Sequence, residues 1–322
     1  MKCAPVCIVT LNRYDHLRQC LESLSRCTLA GNTDVFIALD YPPSEKYVDG
    51  WKKNVEFLDN CEDYGFKSFN VIKRNENYGI WNNPADKPTN SKALVQDILK
   101  VYDRYIFTED DNVFLPCFLE YMNKGLELFE NDEKVFSIAG YKFYYPIRFN
   151  ENTFIRQDVD YSPWGVGLWK NKINMVKDID YKWFRKNVSC RQIYNIKKKY
   201  GWGGVVGLLS SASKHDIKHL IDRHYWVFMS VMGLQQIVPT KTLVKNIGLD
   251  GSGETMSNAI GQEWCDDNLN PMSSAKYFDF IGTGYEFFEE NRNVFIKGKY
   301  WRKQSEYMWI SFKKIIKILF NR

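Results

Sequence analysis

Three consecutive acids, Glu109-Asp110-Asp111, close the apolar run Tyr105-Ile106-Phe107-Thr108. An apolar strand that ends in adjacent carboxylates concentrates negative charge at one edge of a sheet. Alternation along a strand places Glu109 and Asp111 on the same side. Like charges this close repel unless a cation or strong donors compensate them. A hard divalent cation, shared with substrate phosphates, is the usual compensation. The competing reading is that the acids cap or start the next element, since Asp is favoured there.

The neighbouring segments place this triplet in an α/β frame. Val6–Thr10 is a short β-branched run that reads as a buried parallel strand, followed by the loop Leu11-Asn12-Arg13. A helix starting near Tyr14 carries Leu17, Cys20, Leu21 and Leu24 on one face. A second strand, 34–40, ends at Asp40 before Pro42-Pro43, residues 45–60 read as helix, and 68–72 as a third strand. The loop holding Asn75, Asn77 and Gly79 leads to a helix around 90–102. Beyond the acids, the pattern gives a helix near 116–130, strands near 135–140 and 153–158, and a basic helical stretch over 178–200. Residues 246–270 are polar and glycine-rich and read as loop. Alternating strands and helices predict a mostly parallel central sheet flanked by helices. Such sheets bind ligands beyond the carboxyl ends of their strands, where Asn12, Arg13, Asp40 and the acid triplet all fall.

The bulk properties narrow the function. The chain has 322 residues, enough for one large α/β domain or two fused halves. A net charge of +5 is too diffuse to argue for a nucleic-acid partner. The eight cysteines include no CxxC pair and read as reduced small hydrophobes, which points to the cytoplasm. The N-terminus enters the first strand with no apolar signal segment, and no run of about 18 apolar residues is present. Aromatic residues make up 16% of the chain. Trp164 and Trp169 are the rings to stack on a sugar, with core packing as the alternative.

Taken in order, several segments resemble the GT-A glycosyltransferases. The triplet is similar to their DxD-type motif, in a variant like that of the inverting N-acetylglucosaminyltransferase I family and bacterial sugar transferases. Pro5–Arg13 resembles the family's opening strand and nucleotide loop. Asp40 lies where the family places a carboxylate facing the nucleobase. Ser162-Pro163-Trp164-Gly165-Val166-Gly167-Leu168-Trp169 looks like an acceptor-side segment, and 237–248 like a late segment of bacterial members. The resemblance spans roughly residues 5–255.

It implies a GT-A, Rossmann-like fold in which 1–111 binds the nucleotide sugar and 112–290 binds the acceptor. It implies Asp111 as ligand to Mn²⁺ or Mg²⁺, with Glu109 and Asp110 holding ribose hydroxyls or metal-bound water. Thr10, Asn12, Arg13, Asp40 and Asn77 would line the donor site, Arg13 on a phosphate and Asp40 on a uracil N–H. Trp164 and Gly165 would meet the acceptor. An inverting transfer needs a base for the acceptor hydroxyl, and Asp222 is the matching acid, with His224 as a nearby alternative. The partners implied are a UDP-sugar donor and a glycan or lipid-linked acceptor in bacterial surface-polysaccharide or lipopolysaccharide assembly. A retaining GT-A enzyme, a sugar nucleotidyltransferase and a non-catalytic nucleotide- or sugar-binding module are the rivals. The intact acid triplet speaks against the binding module. The absence of glycine in Thr10-Leu11-Asn12-Arg13 speaks against the nucleotidyltransferase.

Residues 291–322 form a basic amphipathic tail. Helical spacing puts Lys313, Lys314, Lys317 and Asn321 on one face and Phe312, Ile315, Ile316 and Leu319 on the other. That pattern suits an anionic membrane surface, and docking onto the parent domain is the alternative. The chain is therefore expected on the cytoplasmic face of the membrane. Near the sheet, the Gly-rich run 246–253 reads as a loop that closes over the donor.

Overall fold

The computed structural model describes residues 2–80, 88–142, 154–158, 161–176, 179–212, 221–253 and 304–320. Part of the loop after Ile80, the polar stretch from 254 onward and Asn321 lie outside these residues, as do the side chains of Lys317 and Leu319.

The first four long strands form as the periodicity predicts. They are β1 (Val6–Thr10), β2 (Asp34–Leu39), β3 (Ser68–Lys73) and β4 (Arg104–Glu109). All four run parallel, in the order β3-β2-β1-β4. The helices between them are α1 (Tyr14–Ser25), α2 (Val48–Asn60) and α3 (Asn90–Ile98). Leu17, Cys20, Leu21 and Leu24 of α1 are all buried, as their spacing requires. Thr89 caps α3 by accepting from the Lys92 amide, which stops the helix from starting earlier.

Beyond the acids the chain makes β5 (Asn112–Phe114), α4 (Phe118–Leu128), β6 (Val135–Ala139), β7 (Phe154–Gln157) and β8 (Val166–Trp169). It continues through α5 (Lys170–Val176), α6 (Tyr181–Asn187), α7 (Cys190–Ser211), α8 (Ile221–Met232), β9 (Gln235–Pro239) and β10 (Val244–Asn246). The last helix is α9 (Gln304–Phe320). Helix α7 is broken at Gly201, whose φ of +64° a side-chain-bearing residue rarely adopts.

The strands assemble into one eight-stranded sheet, β3-β2-β1-β4-β8-β6-β9-β7. Strands β8 and β7 run against the other six. This is the α/β, mostly parallel sheet flanked by helices that the sequence predicts. The sheet is continuous across residue 111, because β4 of the first half bonds β8 of the second. Helices cover both faces, with α1, α2 and α4 over one core and α3, α7 and α8 over the other.

Two readings of the sequence change. The aromatic-glycine stretch at 162–169 enters the sheet as β8, and Trp169 is buried with its indole N–H donating to the Leu126 carbonyl at 3.0 Å. The start of the polar 246–270 run is the end of a strand. β10 pairs antiparallel with β5 in a second, two-stranded sheet beside the acids. Among the described residues, α9 packs along α7, which is the docking alternative for the tail. No helix among them is long and apolar enough to cross a membrane. Seven cysteines, 3, 7, 20, 27, 61, 117 and 190, are free thiols, and Cys265 lies outside the described residues.

Candidate active site

Register builds the site. Val9 of β1 sits opposite Glu109 of β4, so Thr10 and Asp110 leave the sheet side by side. The Thr10 hydroxyl donates to Asp110 Oδ2 at 2.7 Å and accepts from the Asn54 amide of α2 at 3.1 Å. All three are buried. Strand β4 ends at Glu109, and Asp110-Asp111 form the turn into β5. The strict alternation expected for the triplet therefore stops at Glu109. Asp110 and Asp111 both reach the same partner, the guanidinium of Arg13.

Arg13 lies between these carboxylates. One nitrogen donates to Asp110 and another lies 2.9 Å from Asp111 Oδ2. Burial works against a charged Arg13, but Asp110 and Asp111 outweigh it and hold the guanidinium charged. Burial pushes Asp110 up while Arg13 pulls it down. Burial prevails and leaves its carboxyl above the ordinary value, and both its oxygens accept hydrogen bonds, from Arg13 and Thr10. Arg13, expected on a substrate phosphate, is here an internal counter-ion of the acid ridge.

Glu109 differs. It lacks an arginine at bonding distance among the described residues, and burial, then Asp111, then Asp222 push its carboxyl up to about 8. The influence of Asp222 is informative. The residue lies in the first turn of α8, 113 positions away in sequence (222 minus 109), yet the fold brings it into the field of Glu109. Asp222 also bears on Tyr161 and Tyr225, whose hydroxyls are raised chiefly by burial. His224, the alternative base, packs its ring 5.3 Å from that of Phe184.

A strap crosses the ridge. Asn246, at the end of β10, donates to Asp111 Oδ1 at 2.9 Å and to Asn112 Oδ1 at 3.2 Å. Its own Oδ1 accepts from the Gly248 amide at 2.9 Å. The Ile247 amide donates to the Asp111 carbonyl at 2.8 Å. A Cβ at Gly248 would stand 2.1 Å from Asp111 Oδ2 and 3.0 Å from Arg13, so only glycine fits without displacing the acid. Farther along, Asp250 lies 3.2 Å from His16 of α1. The sequence reading placed the 246–253 run near the donor. It missed Asn54, His16 and the β5–β10 pairing that aims Asn246.

At the end of β2, Asp40 is buried and its acceptor positions are occupied. Oδ1 accepts from the amides of Tyr41 and Tyr78, and Oδ2 from the Gly79 amide and more distantly from Asn77. Asn77 also donates to the Tyr41 carbonyl. Both expected donor-site residues thus tie the 77–79 loop to the sheet. Asn12 lies under α2, where its carbonyl is so close to Gly50 that a Cβ there would clash at 2.3 Å. Trp164 is buried edge-to-face against Tyr141, centroids 4.6 Å apart, so its ring belongs to the core. Gly165, at φ +63°, lies against Phe118 and accepts from the Gly140 amide at 2.8 Å.

The donor set suits a hard cation, since carboxylates and amide carbonyls are the ligands Mg²⁺ and Mn²⁺ prefer. Among the described residues no three His, Cys, Asp or Glu side chains converge as a complete cage. A site that relies on one or two carboxylates plus substrate phosphates does not need such a cage.

No family model matches the chain, and no curated protein does. Among solved structures, S. aureus TarS 1–349 aligns at 13% identity over 76% of this chain and 60% of its own, with a TM-score of 0.38. The mannosyltransferase PcManGT from Pyrobaculum calidifontis, in complex with GDP-Man and Mn²⁺, aligns at 8% identity over 99% and 87%, with a TM-score of 0.37. The glycosyltransferase GlyE of Streptococcus pneumoniae TIGR4 aligns at 15% identity over 61% and 40%, with a TM-score of 0.27. This chain thus spans less than two thirds of the TarS and GlyE chains. Likenesses of this extent establish neither a shared family nor a shared activity.

Proposed function

We propose that this protein is a divalent-metal-dependent glycosyltransferase. It moves a sugar from a nucleotide donor, a UDP-sugar, to an acceptor hydroxyl with inversion. The observation that carries the reading is the convergence of two separate segments at one sheet edge, the Glu109-Asp110-Asp111 turn and the Thr10–Arg13 loop.

In this reading Asp111, with Glu109 beside it, holds Mn²⁺ or Mg²⁺. The bound cation supplies Lewis-acid stabilisation of the diphosphate as it departs. Thr10 and Asn54 fix Asp110, which keeps the ridge in place. Arg13 neutralises the ridge before the donor arrives and then turns its fork of donors toward the phosphates. The 77–79 loop, held by Asp40 and Asn77, walls the nucleoside side. The strap from Asn246 to Asp250 covers the ridge and limits water, which would otherwise hydrolyse the donor. Asp222 accepts the acceptor's hydroxyl proton as that oxygen attacks. Trp164 and Gly165 act from behind, shaping the acceptor wall through the core. The acceptor is a glycan or lipid-linked sugar of surface-polysaccharide or lipopolysaccharide assembly, at the cytoplasmic face of the membrane.

Isothermal titration with UDP tests the reading. Binding is expected with Mn²⁺, to weaken strongly without it, and to vanish in Asp111→Ala. Equal binding by both proteins would remove the metal assignment. A screen of nucleotide sugars, read by release of free nucleotide, then identifies the donor.

A further inference from the structure

The last helix presents an apolar stripe that is exposed among the described residues. Ser311 is fully buried and Ile315 packs into the second core cluster, so these two mark the side of α9 facing α7. The flank beside them carries Met308, Trp309, Phe312 and Ile316, which are 48%, 57%, 54% and 39% exposed. Trp309 and Phe312 stack on each other, with centroids 6.1 Å apart and planes 15° from parallel. The Lys313 ammonium sits over the Trp309 ring at 5.1 Å. The outward stripe is therefore Trp309-Phe312-Ile316 with a lysine at its rim. It differs from the face that helical spacing alone assigns, because Ile315 is used for docking.

Charge says what this stripe meets. Helix α9 lies along α7, and α6 packs against α7 in turn. Between 179 and 212 Asp180 is the single acid, while Lys182, Lys186, Arg191, Lys197 and Lys198 are exposed cations. Helix α9 adds Lys313 and Lys314 against Glu306. A stacked Trp-Phe pair flanked by lysines whose stems can lie along apolar surface, beside a basic helical layer, matches the interface of an anionic bilayer. Contiguous exposed apolar patches rimmed by polar residues mark interaction surfaces. Helix α9 is too charged to enter the hydrocarbon core, so it would lie in the plane of the headgroups.

We propose that Trp309, Phe312 and Ile316, with the basic layer of α6, α7 and α9, form a docking surface for anionic lipid. The surface belongs to the folded body and is not a free tail. Its orientation relative to the sheet is thus fixed by the packing of α9 on α7.

Co-sedimentation of the full chain with vesicles tests this. Vesicles of phosphatidylcholine with phosphatidylglycerol are expected to bind the protein, and phosphatidylcholine alone to bind it far less. Raising sodium chloride should weaken binding through screening. The double variant Trp309→Ser/Phe312→Ser is expected to lose about tenfold or more in partitioning, from the apolar area it no longer buries. Lys313→Glu/Lys314→Glu should lose binding to the anionic vesicles specifically. Thermal melting and UDP–Mn²⁺ titration should be unchanged in both, so loss of docking is separable from loss of fold or of the donor site. Three outcomes would overturn the proposal: no binding of the unaltered chain, equal binding by the Trp309/Phe312 variant, or equal binding to neutral and anionic vesicles. Self-association that the Trp309/Phe312 variant abolishes, without vesicle binding, would instead assign the stripe to a second copy of the chain.

Discussion

Two buried carboxylate networks stand at the same sheet edge and are held in different ways. Asp40 is satisfied mostly by backbone amides, three of them within 2.9 Å. Asp110 and Asp111 are satisfied mostly by side chains: Thr10, Arg13 and Asn246. Backbone amides cannot leave an acceptor without a loop unfolding. Side chains can change rotamer. The first network therefore holds a loop, and the second, under the proposed function, would exchange partners when a ligand arrives. Glu109 sharpens the contrast, since burial and the neighbouring acids disfavour its charged form and raise its carboxyl to about 8.

Substitutions should separate the two networks by what they damage. The largest effect is expected for Asp111→Ala, which should lower transfer about 10³-fold or more if several kcal/mol of leaving-group stabilisation is lost. Melting should move little. Asp222→Asn comes next. Loss of a general base should cut kcat about 10²-fold or more, with donor KM nearly unchanged. A change in KM alone would remove Asp222 from the chemistry. Asp40→Ala should act the opposite way. Leaving buried amides of Tyr41, Tyr78 and Gly79 without an acceptor costs about 1–3 kcal/mol in a urea midpoint, with turnover reduced less than in the other two variants. If Asp40→Ala instead abolishes turnover at full stability, the contrast fails and Asp40 faces substrate.

The smallest effect belongs to the far edge of the sheet. Burial would raise Asp34, but hydrogen bonds from Lys67, Ser68 and Tyr102 hold it below its ordinary value. Its contribution is present above that ordinary value and is lost as pH falls through the lowered one. Asp34→Asn should cost about 1 kcal/mol at neutral pH, because the Lys67 end is exposed to solvent. The difference from the parent chain should shrink in acid. A difference that persists there would show that the ion pair is not its source.

The first half of the fold was open to reading because its signals are local. Strands β1 to β4 are five or six residues long, with apolar stretches that end in polar loops, and those loops hold the candidate residues. The acid ridge and Asp222 were legible as residues, and Asp40 and Asn77 as edge residues. What each touches was not. Strands β5 and β10 have three residues each, too few for a period to show, and their pairing joins 112–114 to 244–246. Asn54 looks like any polar residue on a helix until α2 packs against β1. For Trp164 and Trp169 sugar stacking and core packing stayed open, because an aromatic-glycine run does not reveal that it leads into an interior strand. Arg13 was expected outward because sequence could not show two carboxylates turning toward it.

Strand β8 lies between β4 and β6, hydrogen-bonded to both. The two halves of the chain therefore share one hydrogen-bonded floor, which leaves the described residues no seam there along which to open like a clamshell. Under the proposed function, substrates would come and go from above, by the peeling of short segments such as the one passing over Asp111. The pace of turnover would then be governed by how readily a few residues around Gly248 lift away.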